Sequence, residues 1–397
     1  MKTNFPKIAI LFPILKPYNT PIPFRKNTEQ TMTPLFTPYT LNNGVVIKNR
    51  LVVAPMSHYS SNPDSTLSEQ ERRFIANRGQ NMGLFITAAT LVADGGKAGF
   101  GQPYAIDDSH LESLTQTAQI LQNQGTKAIL QLHHGGMHAI AELNGKDKIS
   151  ASTDLATGTR SATVDEIQGL IHAFANATDL AIRAGFDGME IHGANAFVIQ
   201  QFFSREFNHR TDEWGGSLEN RLRLPLAIVD AVAKVREQHG KPEFIIGYRF
   251  SPEEAGDKGL TMADTFDLID ALVEKPLQYL HISLWDFYSK ARRGADTNKT
   301  RIEQIHAHIN GRLPLIGVGN LLTGKAIEQA FATGFCEFLA LGKAVMLNPN
   351  IATLLQEQRY DDIESVFDPK KPDCYGYPDL LWQYNCAGVN WFPPVKS

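Results

Sequence analysis

Between residues 51 and 357, short β-rich runs alternate eight times with longer amphipathic segments, and that alternation limits the fold more than any other feature of the chain. The runs fall at 51–56, 84–89, 127–132, 188–192, 244–250, 279–283, 315–318 and 338–341. The segments with apolar residues at helical spacing fall at 68–81, 109–123, 164–184, 217–239, 262–274, 300–309, 323–332 and 344–357. Strands separated by helix-length crossovers pair in parallel, because each crossover returns the chain to the same end of the sheet. Eight such units match a closed (β/α)8 barrel. An open doubly wound sheet would carry a glycine fingerprint after its first strand, and none stands there. The expected organisation is α/β, with an extension over residues 1–33, a barrel over 34–357 and an aromatic-rich tail over 358–397.

The tail holds Tyr360, Phe367, Tyr375, Tyr377, Trp382, Tyr384, Trp391 and Phe392, so it is expected to dock on the barrel or on a neighbouring subunit of a homo-oligomer. Residues 8–15 form an apolar run interrupted by Pro13, too short to cross a bilayer and followed by no small-residue cleavage site. Residues 17–31 are rich in Pro, Thr and Asn, as in a disordered extension, and Met32 offers a later start.

With 43% hydrophobic and 20% charged residues and a formal charge of -4, nothing supplies the basic stripe that nucleic acid requires. Three scattered cysteines, Cys336, Cys374 and Cys386, argue against a disulfide framework, a zinc ribbon or an iron–sulfur cluster. A reducing cytoplasm and a small-molecule substrate, with neither nucleic acid nor membrane as partner, are the corresponding expectations.

In a parallel barrel the carboxyl ends of the strands carry the chemistry. Read in order, those ends give Pro55-Met56-Ser57-His58-Tyr59, then Thr87-Ala88, Gln131 with His133 and His134, His192 with Asn195, Arg249, Ser283, Gly317-Val318-Gly319-Asn320, and Gly342-Lys343. The glycines after strands seven and eight let backbone N–H groups approach an anion, beside the cation of Lys343, where barrels commonly hold a phosphate. Arg249 interrupts an apolar strand, so it must meet an anion, electron-rich acceptors or a neighbouring carboxylate. The loop after strand four closes on Gly215-Gly216-Ser217, with Ser217 placed to cap the next helix. His134 and His138 share helical i, i+4 spacing, but the carboxylates that a barrel zinc site also needs are scarce at the strand ends. No metal is expected.

Taken together, His192-Gly-Ala-Asn195, Asn208-His-Arg-Thr-Asp-Glu-Trp-Gly-Gly-Ser217 and Gly247-Tyr-Arg-Phe-Ser-Pro252 resemble the Old Yellow Enzyme family of FMN-dependent oxidoreductases, in its NADH-dependent flavin oxidoreductase branch. The likeness runs over residues 34–394. It implies FMN as cofactor, NADH or NADPH as hydride donor, and an activated alkene, a quinone or a similar electrophile as acceptor. It also implies backbone contacts to the flavin from Pro55, Met56 and Ala88. Ser57 would lie at the ring's carbonyl edge, Gln131 and Arg249 at its pyrimidine, and Gly319, Asn320, Gly342 and Lys343 around its phosphate. His192 and Asn195 would donate to the acceptor's carbonyl oxygen.

Three positions depart from the family pattern. Phe197 stands where relatives carry the tyrosine that delivers a proton, Met137 stands for an arginine, and Lys343 stands for another. Tyr59, or solvent, is the expected proton source in place of Phe197. The competing expectation is a flavin-binding protein with little turnover, because Phe197 cannot donate. The larger dienoyl-CoA reductases resemble the same barrel, but the cysteine cluster of their iron–sulfur site is missing here.

Overall fold

The computed structural model describes residues 33–144 and 147–396; the expected extension lies outside them apart from Thr33. Eight parallel strands close into a barrel: β1 (Leu51–Val53), β2 (Leu84–Ile86), β3 (Lys127–His133), β4 (Gly188–Gly193), β5 (Ile245–Phe250), β6 (Tyr279–Ile282), β7 (Leu315–Gly317) and β8 (Phe338–Leu341). Each pairs in parallel with its neighbour in sequence, and β8 pairs with β1 to complete the ring. Parallel strands of this kind must be covered on both faces, and their sequences accordingly show no polar alternation.

Strand periodicity divides their side chains cleanly. Leu51, Val53, Leu130, Leu132, Ile191, Ile246 and Leu280 point outward into the layer shared with the helices. Val52, Leu84, Ile86, Ile129, Ile245, Tyr279, Ile316 and Phe338 point inward and fill the lower barrel. An antiparallel hairpin, Tyr39–Thr40 with Val46–Ile47, plugs the floor through Leu41 and Ile47. Each large apolar side chain so buried contributes roughly 1.5–3 kcal/mol. One inward position is glycine for a reason of space. A Cβ on Gly247 would come 2.1 Å from the Tyr279 ring.

Above the apolar floor, the inward face changes character on four adjacent strands. Two residues past Ile129 stands Gln131, then His133; two past Gly188 stands Glu190, then His192. Two past Gly247 stands Arg249, and two past Tyr279 stands His281. The other four strands continue inward with small or apolar residues such as Ala54, Ala88 and Ala340. Half of the barrel mouth is therefore polar and half apolar.

Helix ends are fixed by the caps that their sequences supply. Thr163 and Glu166 form a reciprocal capping box, as do Thr261 and Asp264. The Ser217 side chain accepts from Asn220 N and starts Leu218–Gln238. The motif that precedes it is a scaffold. The Asn208 amide donates to the carbonyls of Phe202 and Trp214 at 2.6 and 2.8 Å, and the Arg210 guanidinium donates to those of Ala151 and Ala162.

Several boundaries differ from the sequence reading. The helix expected over 344–357 is two, Lys343–Leu347 and Ile351–Gln356, because Pro349 has no N–H to continue the first. The helix expected over 68–81 ends at Ile75. Strands β1 and β2 stop at Val53 and Ile86, which leaves Pro55, Met56, Ser57 and Ala88 in irregular backbone at the mouth. His134 and His138 do not share a helix face, since Gly136–His138 is a single 3-10 turn.

The tail packs on the first strand–helix unit. Arg78, fully buried, lies 3.9 Å over the Phe74 ring and donates to the carbonyls of Phe74 and Tyr375. Gln70 and Asp379 exchange hydrogen bonds of 2.8 and 3.0 Å. Tyr384 and Phe392 set their rings against Tyr59 at the barrel mouth. Among the described residues no helix is long and apolar enough to cross a membrane.

Candidate active site

Two adjoining cavities, about 480 and 720 Å³, open at the carboxyl ends of the strands, and seven residues, Arg249, Ser57 and Tyr59 among them, line both. All thirteen residues expected from sequence to hold the cofactor or act on the acceptor line one or the other. Pro55, Ser57, Tyr59, Ala88, Gln131, His192, Asn195 and Arg249 line the first. Met56, Gly319, Asn320, Gly342 and Lys343 line the second.

Hydrogen bonds decide which ends of His192 and Asn195 face the cavity. His192 Nδ1 receives the Ala194 N–H at 3.3 Å, so the ring proton resides on Nε2. Burial, with Arg249 and His133 beside it, holds this imidazole well below its ordinary pKa, so it is neutral. Asn195 Oδ1 receives the Ser283 hydroxyl at 2.8 Å, which leaves its Nδ2 donors free. Ser283 in turn accepts from an Arg249 Nη2 donor at 3.2 Å. The Ser251 hydroxyl accepts the Asn195 backbone N–H at 2.8 Å and holds Asn195 at φ 58°, a left-handed conformation that asparagine tolerates. Two N–H donors thus remain uncommitted on residues of one wall.

The far end suits an anion. Gly319 has φ 145°, and a Cβ there would lie 2.3 Å from Phe287 N, so only glycine fits. Asn320 follows at φ 52°. Gly342 has no neighbour closer than 3.7 Å to a Cβ, so its cradle beside Met56 stays open. Burial lowers the pKa of Lys343, whose Nζ reaches Asn390 O at 3.3 Å. The helix that Lys343 opens has five residues, so local N–H groups and the ammonium, rather than a long helix dipole, would carry the attraction.

The sequence reading places His133 at the end of strand three but gives it no role. It faces the cavity: its ring meets Phe197 edge-on at 4.3 Å and His192 at 5.4 Å, and its Nδ1 is buried without a partner. The i, i+2 relation to Gln131 was the signal that would have found it. Glu190, two residues before His192, was missed for the same reason. It is fully buried, receiving Gln131 Nε2 at 2.7 Å and His281 Nδ1 at 2.9 Å. Burial pushes His133 down to about 3 and His134 to about 4.

These depressed imidazoles carry a stability consequence. In the unfolded chain they titrate near 6.5, so below that pH the unfolded state binds protons that the native state refuses. Stability is then lost as pH falls from about 6.5 toward the native values, by about 1.4 kcal/mol per unit for each group. At pH 5 His133 and His134 together remove about 4 kcal/mol. Urea unfolding of wild type and His133→Phe at pH 7 and 5 checks this: the variant should lose less on acidification, and equal losses would refute the assignment to His133.

The family model described as "NADH:flavin oxidoreductase / NADH oxidase family" matches residues 34–362. The chain is 44% identical over 364 residues to a probable NADH-dependent flavin oxidoreductase, YqiG, of Bacillus subtilis (strain 168), covering 91% of this chain and 98% of that one. It is 35% identical to the NADH:acrylate oxidoreductase of Vibrio harveyi over 89% of this chain, yet spans only 36% of that protein's length. Among solved structures, the Old Yellow Enzyme homologue from Zymomonas mobilis superposes with a TM-score of 0.72 at 23% identity, covering 87% of this chain and 99% of that one, which shows the shared barrel. The chain therefore belongs to the NADH:flavin oxidoreductase / NADH oxidase family, the Old Yellow Enzyme group, and is an FMN-dependent oxidoreductase that takes hydride from NADH or NADPH.

Proposed function

We propose that this enzyme delivers the hydride to a small activated alkene of the α,β-unsaturated carbonyl class, or to a quinone or similar electrophile. The observation that carries the reading is the pair of uncommitted donors, His192 Nε2 and Asn195 Nδ2, on residues lining the same cavity as Gln131 and Arg249.

The residues present fit FMN. Arg249 is half-buried, has a buried, unpartnered Nε and retains donors for an electron-rich ring edge. Gln131 would meet the pyrimidine, Ser57 the carbonyl edge, and Pro55, Met56 and Ala88 would supply backbone contacts. Gly319, Asn320, Gly342 and Lys343 would hold the phosphate. Bound there, the flavin supplies a two-electron carrier between the nicotinamide and the acceptor.

His192 and Asn195 bind the acceptor's carbonyl oxygen and strengthen their hold as negative charge gathers on it. Tyr59 holds the proton for the neighbouring carbon. Its oxygen receives the Trp391 indole N–H, and burial raises its pKa, so it is protonated at neutral pH. The Vibrio harveyi relative is named for acrylate, an activated alkene, which supports this acceptor class. Most of that protein has no counterpart here, so acrylate itself is not assigned. With three free cysteines, the same reading places the enzyme in a reducing cytoplasm, acting on small electrophiles without nucleic acid or membrane. The tail, 358–397, would dock on the barrel within the chain.

A second reading rests on Phe197, which puts a ring without a hydroxyl on the cavity wall. There the chain would hold flavin with little turnover. Anaerobic stopped-flow mixing separates the two. Bleaching of the flavin band by NADH or NADPH, followed by recolouring with cyclohexenone or benzoquinone, is the expected result. Flavin that neither nucleotide bleaches would leave the second reading standing. Bleaching without recolouring by either acceptor would remove the acceptor class.

A further inference from the structure

Glu190 has no role in the reading above, yet it is a wholly buried carboxylate of the barrel interior. It stands on β4 two residues before His192, opposite Gln131 on β3 and Gly247 on β5. An ionised carboxylate in such a place costs several kcal/mol unless donors and a counter-charge surround it. Here they do. Gln131 Nε2 lies 2.7 Å from one oxygen and His281 Nδ1 lies 2.9 Å from the other. Arg249, on the adjacent strand, supplies the cation that it faces.

Two consequences follow from chemistry. A carboxylate accepts and cannot donate, so the Gln131 amide must turn its NH₂ down to Glu190. Its carbonyl oxygen is then the end left for a ligand, an acceptor suited to the ring N–H of a pyrimidinedione. Arg249, for its part, is not an isolated cation: the Glu190 charge offsets it before any ligand arrives. Burial opposes ionisation of the Glu190 carboxyl, but His281, Arg249 and the Gln131 hydrogen bond together outweigh the desolvation and hold its pKa below the ordinary value.

We propose that Glu190 is the positioning residue for the flavin's pyrimidine edge, fixing which end of Gln131 meets the ring and setting how strongly Arg249 favours the reduced, anionic ring. The inference rests on the placement of FMN at Gln131 and Arg249 argued above. Its content is separable, because orientation governs affinity for both redox states whereas charge compensation governs the difference between them.

The test uses holoprotein for reduction potential and deflavinated protein for FMN titration by fluorescence quenching. Glu190→Gln keeps the shape and removes the charge. It should weaken oxidised FMN about tenfold and raise the two-electron potential. A tenfold gain in preference for the reduced ring is about 30 mV. Glu190→Asp keeps the charge but shortens the reach to Gln131, so it should weaken FMN while leaving the potential near that of wild type. A merely structural carboxylate would weaken both redox states alike, so an unmoved potential in Glu190→Gln overturns the proposal. Should Glu190→Gln not fold, Glu190→Asp decides alone. Unchanged FMN affinity there, beside a tenfold loss in Gln131→Ala, overturns it. If Gln131→Ala and Arg249→Met both bind FMN as wild type does, the placement of the ring fails, and this inference with it.

Discussion

The double variant His192→Ala/Asn195→Ala should reduce an activated alkene about 10⁴-fold more slowly than wild type while keeping its FMN. The magnitude follows from where the hydrogen bonds point. His192 Nδ1 is occupied by the Ala194 N–H, and Asn195 Oδ1 by the Ser283 hydroxyl, so what each side chain has left is a donor. Because the imidazole is neutral, it donates without bringing a full charge that substrate binding would have to desolvate. Donors already fixed in place need no reorganisation when an oxyanion develops, and each such donor is worth about 3 kcal/mol. Phenolic ligands, which need the same two donors, should lose affinity in parallel. Pre-reduced variant mixed with cyclohexenone measures the first effect and titration with p-hydroxybenzaldehyde the second. Wild-type values in both would remove these residues from the site. Above pH 6.5 the wild-type rate should show no step attributable to His192, since burial holds its ionisation well below that ordinary value.

The fold was legible because crossover sterics leave few alternatives once eight strand–helix units alternate. The candidate site was legible wherever a residue broke a local pattern. Arg249 in an apolar strand and the glycines after β7 and β8 announce themselves in this way. What stayed hidden was of two kinds. Glu190 and His281 sit inside strands whose polar residues the reading took only at their ends, although period-two alternation from Gln131 and His192 points at the same inward face. The orientation of Asn195 depends on Ser283, which is 88 residues distant and joined to it only by the barrel's closure. The Asn208–Ser217 motif carried the resemblance with only the Ser217 cap assigned, and its other side chains hold a loop to the carbonyls of Phe202, Trp214, Ala151 and Ala162. The helix expected over 344–357 failed at Pro349, where a local rule was visible and was outweighed by hydrophobic spacing.

Phe197→Tyr should accelerate the acceptor step by about 10-fold to 10²-fold, at or below the lower limit of what a positioned general acid supplies, because another proton source already serves the step. Phe197 precedes the short helix Val198–Phe203 with extended backbone, and its ring stands edge-on to His133 at 4.3 Å and His192 at 5.1 Å. A hydroxyl added there enters a cavity wall already lined by imidazoles, and the unpartnered His133 Nδ1 belongs to the same cluster. The gain should fall on the acceptor step alone, because bleaching by the nucleotide needs no proton delivered to carbon. Among the described residues of the unaltered protein, Tyr59 is the one phenol lining the two cavities, with Trp391 from the tail beside it and burial keeping it protonated. Tyr59→Phe should therefore slow the same step by about 10². The two substitutions form a cycle. If Tyr59 is the native donor, adding Phe197→Tyr to Tyr59→Phe restores more rate than Phe197→Tyr adds to wild type, because the second donor then replaces the first instead of competing with it. Equal gains in both backgrounds would assign the proton to solvent, and Tyr59 would then be a wall for the acceptor and nothing more.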